Sequence, residues 1–133
     1  MEIETSSYGL RVRMDRIYED AVAAVREALK SQGFGVLTEI DVRRTLKEKL
    51  DEEFRRYVIL GACNPPLAHR ALTTELEIGL LLPCNVIVYE EGDGAVVAAL
   101  DPEKAMKMVE HPTLAAVAEE VRAKLEQALR SLA

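Results

Sequence analysis

The chain has no tryptophan and few aromatic side chains of any kind: two phenylalanines and four tyrosines in 133 residues. It has no run approaching the ~20 consecutive apolar residues of a membrane-spanning helix. Its longest apolar-rich stretches, near Ile78 to Leu82 and Val86 to Tyr89, have the size of a strand or a short helix. A basic excess is missing too. The 17 Lys and Arg are outnumbered by 23 Asp and Glu, for a net charge of -6. That balance argues against nucleic acid as a partner, because backbone binding depends on clustered cations. The pairs Arg43-Arg44 and Arg55-Arg56 stand among Glu48, Asp51, Glu52 and Glu53, and read as a solvated face of mixed charge. Met1-Glu2-Ile3-Glu4 has neither the basic nor the apolar region of a secretory leader, so a cytoplasmic location and no membrane partner are expected. In a reducing compartment the two cysteines are expected as free thiols.

What is present is an ordinary globular balance, 49% hydrophobic and 30% charged. A single domain over residues 1–133 is expected. A chain of this size buries roughly two thirds of its unfolded surface and needs no metal or disulfide to fold. Residues Ser7 to Arg13 alternate as a first strand. Asp15 is placed to cap a helix in which Ile17, Ala21, Ala24, Val25, Ala28 and Leu29 recur at helical spacing, and Gly33 is its stop. Phe34 to Val42 reads as a strand with Phe34, Val36, Thr38 and Ile40 on one face. Arg43 to Leu50 reads as a polar helix with Leu46 and Leu50 inward, and Phe54 to Ala62 as a strong strand.

Asn64-Pro65 then opens a helix to Thr74, with proline at the first helical position, where its missing N–H costs nothing. Leu67, Ala68, Ala71 and Leu72 form its buried side. Pro83 closes a short apolar segment of undefined type. A strand around Val86 to Tyr89 turns at Glu91-Gly92-Asp93-Gly94 into a partner, Ala95 to Leu100. Asp101-Pro102 opens another short helix. After His111-Pro112, the spacing of Leu114, Val117, Val121, Leu125, Leu129 and Leu132 predicts a long helix packed on a sheet. The hairpin demands antiparallel pairing. The fold class is therefore α+β, a mostly antiparallel sheet with helices on one face, with a small parallel sheet as the alternative.

Two matching segments stand out: Gly61-Ala62-Cys63-Asn64-Pro65-Pro66 and Leu81-Leu82-Pro83-Cys84-Asn85. Each couples a thiol directly to a side-chain amide. Together with Leu67-Ala68, Ile78-Gly79-Leu80, Gly33-Phe34-Gly35-Val36-Leu37, Ile40-Asp41-Val42 and Asp101-Pro102, they resemble an uncharacterised bacterial and archaeal family, domain of unknown function 302. The resemblance covers nearly the whole chain. It implies a curved antiparallel sheet with helices on one side, like the fold of the TATA-box-binding protein. It implies no activity, and fold likeness alone assigns none.

The chemistry of the double motif narrows to four positions, Cys63, Asn64, Cys84 and Asn85, as candidate ligand-binding residues. Cys63 precedes a helix N-terminus, where backbone N–H groups favour a thiolate; the bland alternative is a small residue closing a turn. Asn64 is explained by capping. Asn85 is not explained so easily, since asparagine is poor in strands. Cys63 and Cys84 are too far apart in sequence for a zinc knuckle, and His69 and His111 would join them only by accident of folding, so no metal site is expected. Neither histidine has an evident partner as a base for a Cys–His nucleophile. Gly92-Asp93-Gly94 joins two strands and is not a phosphate loop. The sequence names no cofactor. The expected function is a small ligand-binding or redox-linked module, a homodimer taking a small molecule. The alternatives are a thiol-dependent enzyme using Cys63 and a structural interaction domain.

Overall fold

The computed structural model describes residues 3–132. The leader reading made on Met1 and Glu2 falls outside them. The first strand, β1 (Glu4–Thr5), is a two-residue piece pairing with β2 (Gly9–Met14), and α1 (Tyr18–Ser31) follows. Then come β3 (Gly35–Asp41), α2 (Val42–Leu50), β4 (Tyr57–Cys63) and α3 (Pro65–Thr74). A 3-10 helix over Leu76–Leu81 leads to the hairpin β5 (Cys84–Glu91) and β6 (Gly94–Leu100). The chain ends in α4 (Pro102–Met106) and α5 (Pro112–Arg130). All pairings are antiparallel, in the order β1-β2-β6-β5-β4-β3. The α+β class and antiparallel sheet read from the sequence are what the chain forms.

One face of this sheet is covered. Leu10, Val12 and Met14 of β2, Ala95, Val97 and Ala99 of β6, Val86 and Val88 of β5, and Val58, Leu60 and Ala62 of β4 are all buried in one core cluster. Their registers put them on the same side: Val12 faces Val97, Val97 faces Val88, and Val88 faces Val58. α1 contributes Ala21, Val25, Ala28 and Leu29, and α5 contributes the full stripe Leu114, Val117, Val121, Leu125 and Leu129. The intervening residues, Arg11 and Arg13 on β2 among them, face the helix-free side, as alternation in a half-solvated antiparallel sheet requires. Val96 is fully buried there yet lies outside the core cluster, with Arg13 and Tyr89 as its cross-strand neighbours.

Local signals acted largely as the residues suggest. Gly33 takes φ +83 and ends α1, its N–H donating to the Lys30 carbonyl and that of Phe34 to Leu29. Gly92-Asp93 makes the two-residue hairpin loop, with Gly92 at φ +60. Asp101 caps α4 through the Glu103 N–H and, almost wholly buried, accepts from Arg122 Nε at 3.2 Å on α5.

Leu72, expected on the buried side of α3, is exposed, and other expectations fail for physical reasons. Asp15 does not cap α1, which starts at Tyr18 behind Ile17 with no side-chain cap. A bulge between Val36 and Thr38 breaks the alternation of β3, so Val36 lies opposite buried Ala62 while Thr38 and Ile40 lie opposite Gly61 and Ile59, on the other face. In α2 no residue is buried and Leu50 is exposed, because this helix lies at the β3–β4 edge with no layer above it.

Candidate functional site

Strand β4 ends at Cys63 and strand β5 begins at Cys84, and the two strands are neighbours. Cys84 is paired with Ala62, so Cys63 is one step further along. Both thiols are free, and both line a single half-enclosed cavity of about 290 Å³. The end of the sheet forms its floor. α3 supplies Leu67, Ala68, Ala71 and Leu72, α4 supplies Met106, and α5 supplies Val117, Ala118 and Val121. Phe34, Leu82 and Pro83 complete much of the wall. Among the described residues, no Asp, Glu, Lys, Arg or His lines it.

The cavity exists because small residues occupy positions where the helix seams would otherwise close. Ala68 and Ala71 of α3, Ala118 of the neighbouring α5 and Gly79 of the 3-10 helix all line it. On the sheet, Gly61 has a packing reason: a Cβ there would collide with the Thr38 hydroxyl and come within 2.8 Å of Pro83 Cγ. The glycine of the first segment thus lets the proline of the second lie against it, and the Leu82–Pro83 bond is cis.

Cys84 is buried, and burial together with the neighbouring Cys63 thiol pushes its pKa up to about 11. It is a neutral thiol at neutral pH. Cys63 is partly exposed. It precedes α3 as expected, but Pro65 and Pro66 occupy the first two helical positions, and neither carries an N–H to meet a thiolate.

The same prolines narrow the options of Asn64. A capping side chain accepts from the second or third helical N–H; Pro66 has none, which leaves only that of Leu67. Asn64 occupies the cap position without a side-chain cap bond; its Nδ2 instead donates to the Gln32 carbonyl at 3.3 Å, close against Gly33. The side chain expected to cap α3 ties the start of that helix to the end of α1.

The structure therefore brings three of the four candidate residues, Cys63, Asn64 and Cys84, to one cavity. Asn85 is not with them. It is exposed on the helix-free face, where it lines a separate groove with Tyr57, Tyr89 and Arg11. His69 is exposed on α3, and His111 caps α5 by accepting the Thr113 N–H on Nδ1; neither lines the cavity. Among the described residues no group of three or more His, Cys, Asp and Glu gathers as metal ligands would, and no helix is long and apolar enough to cross a membrane.

Sequence reasoning missed the wall built by Met106, Ala118 and Val121: Val121 read only as part of the α5 core stripe, and Met106 and Ala118 carried no reading at all. The one available signal was the run of alanines in α3 and α5, at spacings that open a seam.

The family model described as "Domain of unknown function DUF302" matches residues 10–132. A solved structure similar to this chain is that of an uncharacterized conserved DUF302 protein from Bacillus stearothermophilus. The two are 29% identical, with a TM-score of 0.89, over 96% of this chain and 100% of that one. Among curated proteins none matches.

Proposed function

The chain belongs to the DUF302 family, and from that premise we propose that it is a binding module for a small apolar molecule, held between α3, α4, α5 and the end of the sheet with Cys63, Asn64 and Cys84 on its wall. The observation that carries this reading is a half-open cavity of about 290 Å³ with no charged lining residue among those described. An apolar cavity of about 150 Å³ takes one benzene-sized molecule, so a ligand of about two fused or linked rings, or a short branched chain, fits the space. The cavity opens between helices, a common place for such sites. The thiols supply weakly polar, polarisable contacts.

The neutral probe N-phenyl-1-naphthylamine tests this. Its fluorescence should rise saturably on the native protein and lose most of that rise in Ala68→Phe, which fills the cavity from a partly exposed helix position. No saturable rise, or an equal rise in the variant, defeats the reading.

The thiol-enzyme alternative has less support. Cys84 is held neutral, no histidine reaches the cavity, and two N–H groups are missing beside Cys63. A thiol titration decides it: an ordinary value near 8.5 for Cys63 leaves the enzyme reading without its nucleophile.

The homodimer also belongs to this proposal. Among the described residues β3 has a hydrogen-bonded neighbour on one side only, and Leu76 and Leu80, on the 3-10 helix, are 82% and 85% exposed. Free strand edges and exposed leucines favour self-association. Light scattering should give twice the chain mass, and Leu80→Glu should shift it toward one; a native monomer at 100 µM (about 1.5 mg/mL for a chain of 14.8 kDa) removes the dimer.

A further inference from the structure

Four of the chain's aromatic residues lie on or beside the helix-free face. Tyr57 and Tyr89 are cross-strand partners whose rings stack at 5.6 Å and 11°. Phe54 lies 6.1 Å from Tyr57, and Arg55 sits over the Tyr89 ring at 5.7 Å. Tyr8, 71% exposed, stands at the entry to β2. Between these rings and the β2–β6 strands runs a groove of about 430 Å³. Exposed aromatic faces with a cation alongside form a stacking platform for planar ligands.

The charge of the groove is selective. In a chain of net charge -6, the only charged residue lining it among the described residues is a cation, Arg11. That guanidinium is loosely engaged: its ion-pair partner, Glu4, is 3.8 Å away and three-quarters exposed. Arg13, by contrast, is occupied by Glu91 and Asp93. The uncharged polar members are the tyrosine hydroxyls, Ser6 and Asn85. Tyr57 is held above its ordinary pKa, by burial first and then by the neighbouring Tyr89 and Tyr8, so its hydroxyl stays a neutral donor at physiological pH. Asn85 faces Gly61 across the strand pair, which has no side chain to meet its amide.

We infer that this groove binds a small planar aromatic anion, its ring against Tyr57 and its carboxylate or phosphate on Arg11, with the Asn85 amide reading the ring edge. This gives the second Cys-Asn pair an amide with a task of its own, on the opposite side of the sheet from the apolar cavity. A polynucleotide fits less well, since among the described residues a single cation, Arg11, lines the groove, and it is already loosely paired with Glu4.

Amide-resolved NMR titration of the ¹⁵N-labelled full chain is the test, with AMP and indole-3-carboxylate as the two aromatic anions and adenosine and inorganic phosphate as controls. Saturable shifts centred on Arg11, Tyr57 and Asn85, for AMP, indole-3-carboxylate or both, support the site, and the pattern shows which anionic group it takes. Arg11→Gln should weaken that binding at least tenfold and Asn85→Ala several-fold. Ala68→Phe, which fills only the apolar cavity, should leave it unchanged. Tyr57→Phe, which keeps the ring, should retain most of the affinity and serves as the variant least able to disturb folding. The inference is overturned if neither anion binds at 1 mM, if adenosine or phosphate alone binds as tightly, if the shifts map to the helices, or if oligodeoxyadenylate binds more tightly as it lengthens.

Discussion

The two faces of the sheet differ in kind. Among the described residues, helices behind the sheet enclose a cavity without a charged side chain; in front, a groove open to solvent has aromatic walls and a single guanidinium. The same strands build both. Cys84 and Asn85 are consecutive, yet the first is buried in the cavity wall and the second is exposed in the groove. A strand has a period of two, so a two-residue signature necessarily splits between its faces. A helical dipeptide would not divide this way. The lesson is that a short motif on a strand need not mark one site, even when its residues are chemically matched.

The contrast can be broken most forcefully at adjacent positions of β4. Leu60 is fully buried, and Leu60→Ala should cost about 3 kcal/mol. Ile59→Ala, on the open face, should cost less than about 1.5 kcal/mol in denaturant melts. Equal losses would mean that the open face is covered in solution. Gly61→Ala, which forces a methyl against Pro83 and Thr38, should cost about 1–3 kcal/mol and reduce binding of the apolar probe, because Pro83 lines the cavity.

The next effect appears only in alkali. Cys84 has its folded pKa raised from an ordinary 9.0 to about 11. Between those values the folded state holds a proton that the unfolded chain gives up. The stabilisation is complete below pH 9 and fades as pH rises through 11, by about 3 kcal/mol at most. Tyr18 and Tyr57 are shifted upward as well and act in the same direction. Subtracting the Cys84→Val profile from the native one isolates the thiol; coincident profiles from pH 8 to 11 would show that Cys84 is not desolvated. The smallest effect on stability belongs to Asn85→Ala, within about 0.5 kcal/mol. A larger loss would assign the amide a structural role and blur the distinction between the faces.

Much of this architecture was legible because local signals agreed with tertiary need. The α5 stripe, the Gly33 stop and the Gly92-Asp93 loop are cases where spacing or φ preference leaves one solution. Leu50 was misread because helical periodicity reports which residues share a face, not whether a layer covers it. The β3 bulge was invisible because one inserted residue changes which face the rest of the strand presents without altering its composition. For the site, Cys63, Asn64 and Cys84 were legible as a group through their repeated context, whereas the cavity between them depends on Met106 and Val121, far along the chain and unmarked by any motif. The groove was harder still. Arg11, Tyr57 and Tyr89 come from three strands, and only the register places them together.

The strand order also has a consequence for the time course of folding. β5 and β6 close over a two-residue turn, but β2 joins the sheet beside β6, where Met14 meets Ala95. Closing so long a loop must precede the contacts that reward it. The hairpin is therefore the natural early element and β2 a late arrival. Arg11 and Tyr8 travel with that late strand. A folding chain therefore has the tyrosine pair in place before the guanidinium docks opposite it, so the groove is a product of the final steps of assembly.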